Sequence, residues 1–270
     1  MAHLVSTSNS EYNICMLHAP DILHVLTGLR LAHPVYVYQQ VGSTNDEAKR
    51  FADSGAPEGL LVVAEEQTAG RGRERSHWHT PPDSALAFSL VLRPALPADQ
   101  AARLTMLAAV AACEAIEQLT PLTAQIKWPN DVLLSGKKVA GILLETVLAG
   151  DKLDYAIIGL GLNVSFIPEN VDFPATSLQA EAGSVIDRLQ LLRAILARLE
   201  THYPALLDKE LFDAWRGRLA LLDTPVIVRA PSGEYRGRAE GVAPDGALLF
   251  RADSGETLRL FAGDVHLRPA

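Results

Sequence analysis

Four apolar or alternating runs follow one another between Gln125 and Val164 with only turn-sized gaps, and this spacing narrows the fold more than any other feature. The runs cover residues 125–128, 132–134, 139–148 and 153–164, with Ser135-Gly136 and Gly150-Asp151 as turn signals. Gaps this short join antiparallel neighbours, because a parallel pair needs a crossover of roughly a dozen residues or more. Upstream, residues 35–38, 60–64 and 85–92 read as three further strands. Ser43-Thr44-Asn45 offers caps for a helix that passes Ala48 and Phe51 and stops at Gly55. A long amphipathic helix is predicted over 98–119, with Leu104, Leu107, Ala108, Ala111, Ala115 and Leu119 on one face. Helical stretches are expected near 185–207 and 211–221, and a weak one near 22–31. The order of elements predicts an α+β fold with a mixed, mostly antiparallel sheet.

After Pro225 the texture changes to short alternating runs broken at Ser232-Gly233, Asp245-Gly246, Ser254-Gly255 and Ala262-Gly263. That pattern predicts a small β-barrel or sandwich of about 45 residues, marginal alone and docked on the main domain. The division expected is an N-terminal extension over 1–34, a main domain over 35–222 and a β-domain over 223–270.

With 24 Lys and Arg against 32 Asp and Glu, the formal net charge is −8. This argues against a general binder of nucleic acid or acidic membranes. No run approaches the roughly 18 to 20 apolar residues of a membrane span, and no Lys or Arg precedes Arg30 to make a signal peptide's basic start. Cys15 and Cys113 are far apart and form no metal-type pair, so a reduced, cytoplasmic setting is expected.

Chemistry points to two stretches. Gly70-Arg71-Gly72-Arg73 sets two guanidinium groups on a backbone kept bare by glycine, which suits a loop closing over an anion. A solvated basic loop is the plain alternative. Lys127-Trp128-Pro129-Asn130-Asp131 places a lysine between apolar neighbours on a strand stopped by proline. If Ile126 and Trp128 face the core, Lys127 projects from the other side. There an ammonium near an anion is worth on the order of 4 kcal/mol at ~4 Å. A surface lysine on a half-exposed sheet is the competing reading. No Walker P-loop occurs, so phosphate handling would follow another design. Gly159-Leu160-Gly161-Leu162-Asn163 lacks the third glycine and following helix of a dinucleotide fingerprint, and its glycines fit better as room for a ligand. Ser43 and Thr44 are either helix caps or ligand contacts. His77 and His79 lack an accompanying set of metal ligands.

These stretches, with Gln67-Thr68-Ala69 before the Gly-Arg loop, Trp78 after it and Lys138-Val139-Ala140-Gly141-Ile142-Leu143-Leu144-Glu145, stand in the order seen in biotin protein ligases. The resemblance covers about residues 36–269. It implies a catalytic domain similar to class II aminoacyl-tRNA synthetases, followed by an SH3-like barrel. It also implies two reactions: biotin and ATP give biotinyl-5′-AMP, then a lysine of a biotin carboxyl carrier domain of acetyl-CoA carboxylase or a related carboxylase takes the biotinyl group.

By match of motif, Ser43, Thr44, Asn45 and Gln67 would hold the biotin head group. Gly70, Arg71, Gly72 and Arg73 would cover biotin and the phosphates, and Lys127 would meet the carboxylate and α-phosphate. Lys127, Arg71 and Arg73 are thus the expected catalytic cations. Trp78, Asn130 and Asn163 would lie on the ATP side, Gly141 would leave space beside the biotin ring, and Asp131 would contact Mg2+. The resemblance allows a homodimer.

Two departures bear on these expectations. Glu74-Arg75-Ser76-His77 stands where the family usually has a further Gly-Arg pair, which predicts slower ordering of the loop with activity retained. Some members also carry an N-terminal winged helix-turn-helix that represses biotin genes. The stretch before the catalytic motifs is too short and not basic enough for one, so no specific DNA binding is expected. Lipoate or octanoate transfer is the nearest rival chemistry, against which the Gly-Arg-Gly-Arg loop and the C-terminal barrel favour biotin. A non-catalytic biotin- or adenylate-binding regulator is the rival from another class, and three intact cations speak against it.

Overall fold

The computed structural model describes residues 17–73, 76–169, 171, 173–230, 233–261 and 266–269. The chain runs through α1 (Ala19–Val25), β1 (Val35–Val41), α2 (Thr44–Asp53), β2 (Leu61–Gln67) and β3 (Ala85–Leu92) to the long helix α3 (Ala102–Leu119). The predicted hairpin run follows as β4 (Ala124–Lys127), β5 (Asp131–Leu134), β6 (Lys137–Ala149) and β7 (Lys152–Asn163). Three helices come next: α4 (Leu178–Ala182), α5 (Arg188–His202) and α6 (Lys209–Gly217). Most expected elements are present, with shifted ends. The weak N-terminal helix sits earlier, and a 3-10 turn at Ala98–Gln100 precedes α3. The short helix α4 was not anticipated.

Seven strands form one sheet in the order β1-β2-β3-β7-β6-β5-β4. Only β1 and β2 are parallel, joined through α2; all other neighbours are antiparallel. Helix α3 packs against one face with α5 and α6 stacked on it. It is therefore buried on nearly all sides, including Met106, Ala109, Val110 and Ala112, where the sequence predicted a single apolar stripe. Leu119, placed on that stripe, is exposed at the helix end.

On the opposite face α2 covers only part of the sheet. Ala48 and Ala52 pack there on Val62, Val91, Tyr155 and Ile157 as a small separate cluster. The rest of that face stays open and becomes the floor of the site. Among the described residues no helix is long and apolar enough to cross a membrane.

The remaining strands β8 (Pro225–Ala230), β9 (Gly233–Val242), β10 (Leu248–Ala252), β11 (Thr257–Leu260) and β12 (His266–Pro269) form an antiparallel sheet in the order β11-β10-β9-β8-β12. Val226, Val228, Ala239 and Phe250 belong to the same continuous core as the large sheet and α3. The turn before β10 reaches into the main domain, where Trp128 Nε1–H donates to Gly246 O at 2.9 Å. Leu17, Ile22 and Leu26 join that core as well, so the described part of the N-terminal extension is packed onto the main domain.

Candidate active site

A cavity of about 460 Å3 opens on the uncovered face of the sheet. Its floor is bare because Gly141 of β6 and Gly161 of β7 are direct cross-strand partners. The Trp78 indole lies on this patch: a Cβ added at Gly161 would come within 2.3 Å of Trp78 Nε1, and one at Gly141 within 3.3 Å of its ring. The space expected beside Gly141 for a biotin ring is thus lined by the indole that was expected on the ATP side. Trp78 Nε1–H is buried and has no hydrogen-bond partner among the described residues.

One end of the cavity is polar and uncharged. Ser43 holds the N-cap position of α2, yet its hydroxyl makes no capping bond, which leaves it available to a ligand. Thr44 donates to Gln67 Oε1 from its N–H (2.9 Å) and its hydroxyl (3.1 Å), and Gln67 Nε2–H donates to Thr80 Oγ1 (3.1 Å). Beneath them the fully buried Ser89 Oγ lies 2.8 Å from Thr44 Oγ1 and 2.5 Å from Asn45 Oδ1. Asn45 Nδ2–H donates to Glu145 Oε2 at 2.7 Å. Each side chain is held by another, so the donors and acceptors facing the cavity are fixed in advance.

The other end is cationic. Ile126 and Trp128 enter the core while Lys127 lines the cavity, as the alternation predicts. Lys127 Nζ lies 3.3 Å from Asp131 Oδ2 and 4.5 Å from the centre of the Phe173 ring. Lys138 Nζ lies 2.6 Å from Asp131 Oδ1 and 5.5 Å from the Trp78 ring centre. Burial opposes ionisation of Asp131, but the two ammonium groups outweigh it and hold its carboxyl below the usual range. Each oxygen of Asp131 faces one lysine, so the carboxylate gathers two cations at one spot. Arg73 Nη1–H donates to Asn130 Oδ1 at 3.3 Å, and Asn130 Nδ2–H to Ile142 O at 2.6 Å. Asn163 is also buried at the cavity wall and donates to Thr176 O at 3.1 Å.

The Gly-Arg stretch folds back on itself as a narrow hairpin. Trp78 N–H donates to Gly70 O (2.9 Å) and Gly72 N–H to Ser76 O (2.8 Å). A Cβ at Gly70 would lie 2.4 Å from Trp78 O, and one at Gly72 2.4 Å from Ser76 Oγ. Gly70 is therefore required by the backbone of the opposite arm, a reason the sequence did not reveal, whereas at Gly72 only the Ser76 hydroxyl would have to turn aside. Arg71 pairs with Asp46 (2.6 Å) and Glu145 (3.3 Å). Glu74 and Arg75, the atypical part of the loop, lie outside the described residues.

Sequence reasoning missed Lys138, Ser89 and Glu145. Strict alternation from Gly141 would send Lys138 to the core face. A shift in register against β5, with Ala140 opposite Val132 but Lys138 opposite Leu133, adds a residue there. Val139 and Ala140 both enter the core, and Lys138 emerges in the cavity.

A bare-floored cavity with a fixed uncharged end and a gathered cationic end has known counterparts. Residues 36–163 match the Biotin/lipoate A/B protein ligase family, and residues 221–268 match the Biotin protein ligase C terminal domain. The Bifunctional ligase/repressor BirA of Bacillus subtilis is 36% identical over 244 residues, covering 87% of this chain and 74% of that protein. The chain belongs to the biotin protein ligase family. Within that family, the biotin–[acetyl-CoA-carboxylase] ligase of Paracoccus denitrificans is 38% identical over 223 residues, 79% of this chain and 92% of its own length. Among solved structures, biotin protein ligase from Aquifex aeolicus in complex with biotin and ATP superposes with a TM-score of 0.73 at 29% identity, covering 87% of this chain and 99% of that one.

Proposed function

We propose that this chain joins biotin to a lysine of a biotin carboxyl carrier domain at the expense of ATP, through biotinyl-5′-AMP. The observation that carries the reading is the polarity of the cavity. Ser43, Thr44, Asn45 and Gln67 offer neutral donors and acceptors suited to a ureido ring, while Lys127 and Lys138 flank Asp131 at the other end, next to Arg73. Biotin has this layout: a neutral ring system at one end and a carboxylate at the other.

In the first step a carboxylate oxygen of biotin attacks the α-phosphorus of ATP. The bond from that phosphorus to the bridging oxygen breaks, and pyrophosphate leaves with the electron pair. Two anions must meet, so the main work of the site is to cancel their repulsion and align them. Lys127 and Lys138 suit this because Asp131 neutralises only one of the pair. Magnesium would enter in this reading with the nucleotide phosphates, with Asp131 the carboxylate nearest the cationic end. In the second step the neutral amine of the carrier lysine attacks the carbonyl carbon of the anhydride. AMP departs with the electron pair of the broken C–O bond, and the amide nitrogen loses a proton. Trp78, whose ring centre lies 5.5 Å from Lys138 Nζ, is assigned to the nucleotide, as are Asn130 and Asn163. A cytoplasmic location, where biotin, ATP and carrier domain meet, goes with the assignment.

Labelling of an apo carrier domain with biotin, ATP and magnesium tests this. Wild type is expected to transfer biotin, while Lys127→Ala and Lys138→Ala each lose most of the rate. Absence of transfer and of biotin-dependent pyrophosphate release by wild type would refute the assignment.

A further inference from the structure

We propose that Glu145 and Asp46 are positioning residues that make Arg71 the anchor of the Gly70–Trp78 hairpin and withdraw its charge from the chemistry. The proposal rests on the biotin-ligase reading only for its effect on the adenylate. Arg71 was expected to be a catalytic cation, and its surroundings point elsewhere. Its Nη1 lies 2.6 Å from Asp46 Oδ2 and its Nη2 3.3 Å from Glu145 Oε1. One guanidinium between two carboxylates is an anionic cluster, which offers no positive potential to a phosphate. The Lys127–Asp131–Lys138 cluster has the opposite balance, two ammonium groups around one carboxylate. The site therefore divides its cations between holding and reacting.

Glu145 is the link that gives the anchor a function. Its second oxygen accepts from Asn45 Nδ2 at 2.7 Å. Asn45 is pressed against the sheet at Gly159, where an added Cβ would come within 2.1 Å of Asn45 Oδ1. The amide therefore has little room to move. One carboxylate joins the hairpin, through Arg71, to a fixed group in the neutral end of the cavity. Displacing the hairpin disturbs Asn45, and a ligand that engages Asn45 steadies the hairpin. The three charged side chains are partly exposed, so each ion pair is individually modest and open to screening by salt.

Glu145→Gln keeps an acceptor for Asn45 while removing the charge that Arg71 uses, and Asp46→Asn removes the other arm. In the ligand-free protein, the double variant is expected to speed hydrogen exchange at the Gly72 and Trp78 amides about tenfold, the scale two such pairs supply. Raising ionic strength from about 0.01 to about 1 M, which cuts the screening length from about 30 to about 3 Å, should move wild type toward the variant and leave the variant unchanged. A residue acting only through packing would show no such salt response. With biotin and ATP, release of biotinyl-5′-AMP should accelerate about tenfold, well beyond any change in the single-turnover rate of its formation. Wild-type exchange in the double variant would overturn the proposal. So would an Arg71→Met variant that slows adenylate formation more than it speeds release, because Arg71 would then be a cation of the chemistry. If wild type formed no adenylate, the assigned function would fail while the exchange result still decided the anchor.

Discussion

Asp131→Asn removes one negative charge from between two ammonium groups and leaves the shape of the side chain almost unchanged. The carboxylate lies 2.6 Å from Lys138 Nζ and 3.3 Å from Lys127 Nζ, and the side chains of Asp131, Lys138 and Lys127 are only 12%, 27% and 11% exposed. Removing one member of a buried ion pair costs about 3–5 kcal/mol, mostly because the partner charge stays buried without compensation. Here two partners are orphaned, so the upper half of that range is expected, from a total stability of about 5–15 kcal/mol. At roughly 2–4 °C per kcal/mol for a chain of this size, the melting temperature should fall by about 8–20 °C. Urea and thermal melts measure this directly.

The same reasoning fixes the response to ligand and to pH. An anion bound between the lysines returns the missing charge, so biotin with ATP should raise the melting temperature of the variant by more than that of wild type. Burial alone would raise the Asp131 pKa, but Lys138 and Lys127 bring it below the usual value. Its contribution is then fully present above the ordinary carboxylate pKa of about 3.9 and is lost as pH falls through the lowered folded value. The gap between wild type and variant should close in that acid window. A loss under about 1 kcal/mol, or equal ligand shifts in the two proteins, would refute the view of Asp131 as the hub of a buried cationic cluster.

Three further outcomes are expected. Ser89→Ala should cost about 1–3 kcal/mol by leaving its buried partners under-satisfied, and should weaken biotin binding by calorimetry; unchanged affinity would separate this network from the ligand. Trp128→Phe deletes the N–H donated to Gly246 O and should cost about 0.5–1.5 kcal/mol in urea melts, with a smaller loss meaning that this bond contributes little to docking of the C-terminal sheet. Burial pushes the Cys113 thiol up to about 12, so in a Cys15→Ser background it should resist alkylation near neutral pH, and labelling at the rate of a free thiol would show that α3 opens.

The strands were legible because their spacing and their turn glycines carry the information locally: Ser135-Gly136 and Gly150-Asp151 do mark the ends of β5 to β7. Lys127 was legible for a similar reason, since a cation between two core residues on a strand has one face left to it. Lys138 was not, because a single extra residue in β6 reverses the alternation from which its direction would be read. Ser89 looks like an unremarkable small residue in an apolar run, and only the first turn of α2 crossing above it gives its hydroxyl partners. Arg71 was read by type and not by neighbourhood. Asp46 and Glu145 lie 25 and 74 residues away in sequence, so their claim on its charge depends on tertiary structure.

The glycine pair at the floor of the cavity gives the protein an internal competitor. Gly141 and Gly161 expose a flat stretch of backbone that would receive any planar ring, and the chain supplies one of its own in Trp78. A ligand ring aimed at that stretch must displace the indole or settle upon it. Its measured affinity is the intrinsic affinity reduced by the fraction of molecules in which the patch is open. An inhibitor that stacks on the indole bears none of this reduction, whereas one shaped for the bare glycines bears it in full. The better template for such a molecule is thus the outward face of Trp78, since the indole N–H itself is buried against the glycine floor.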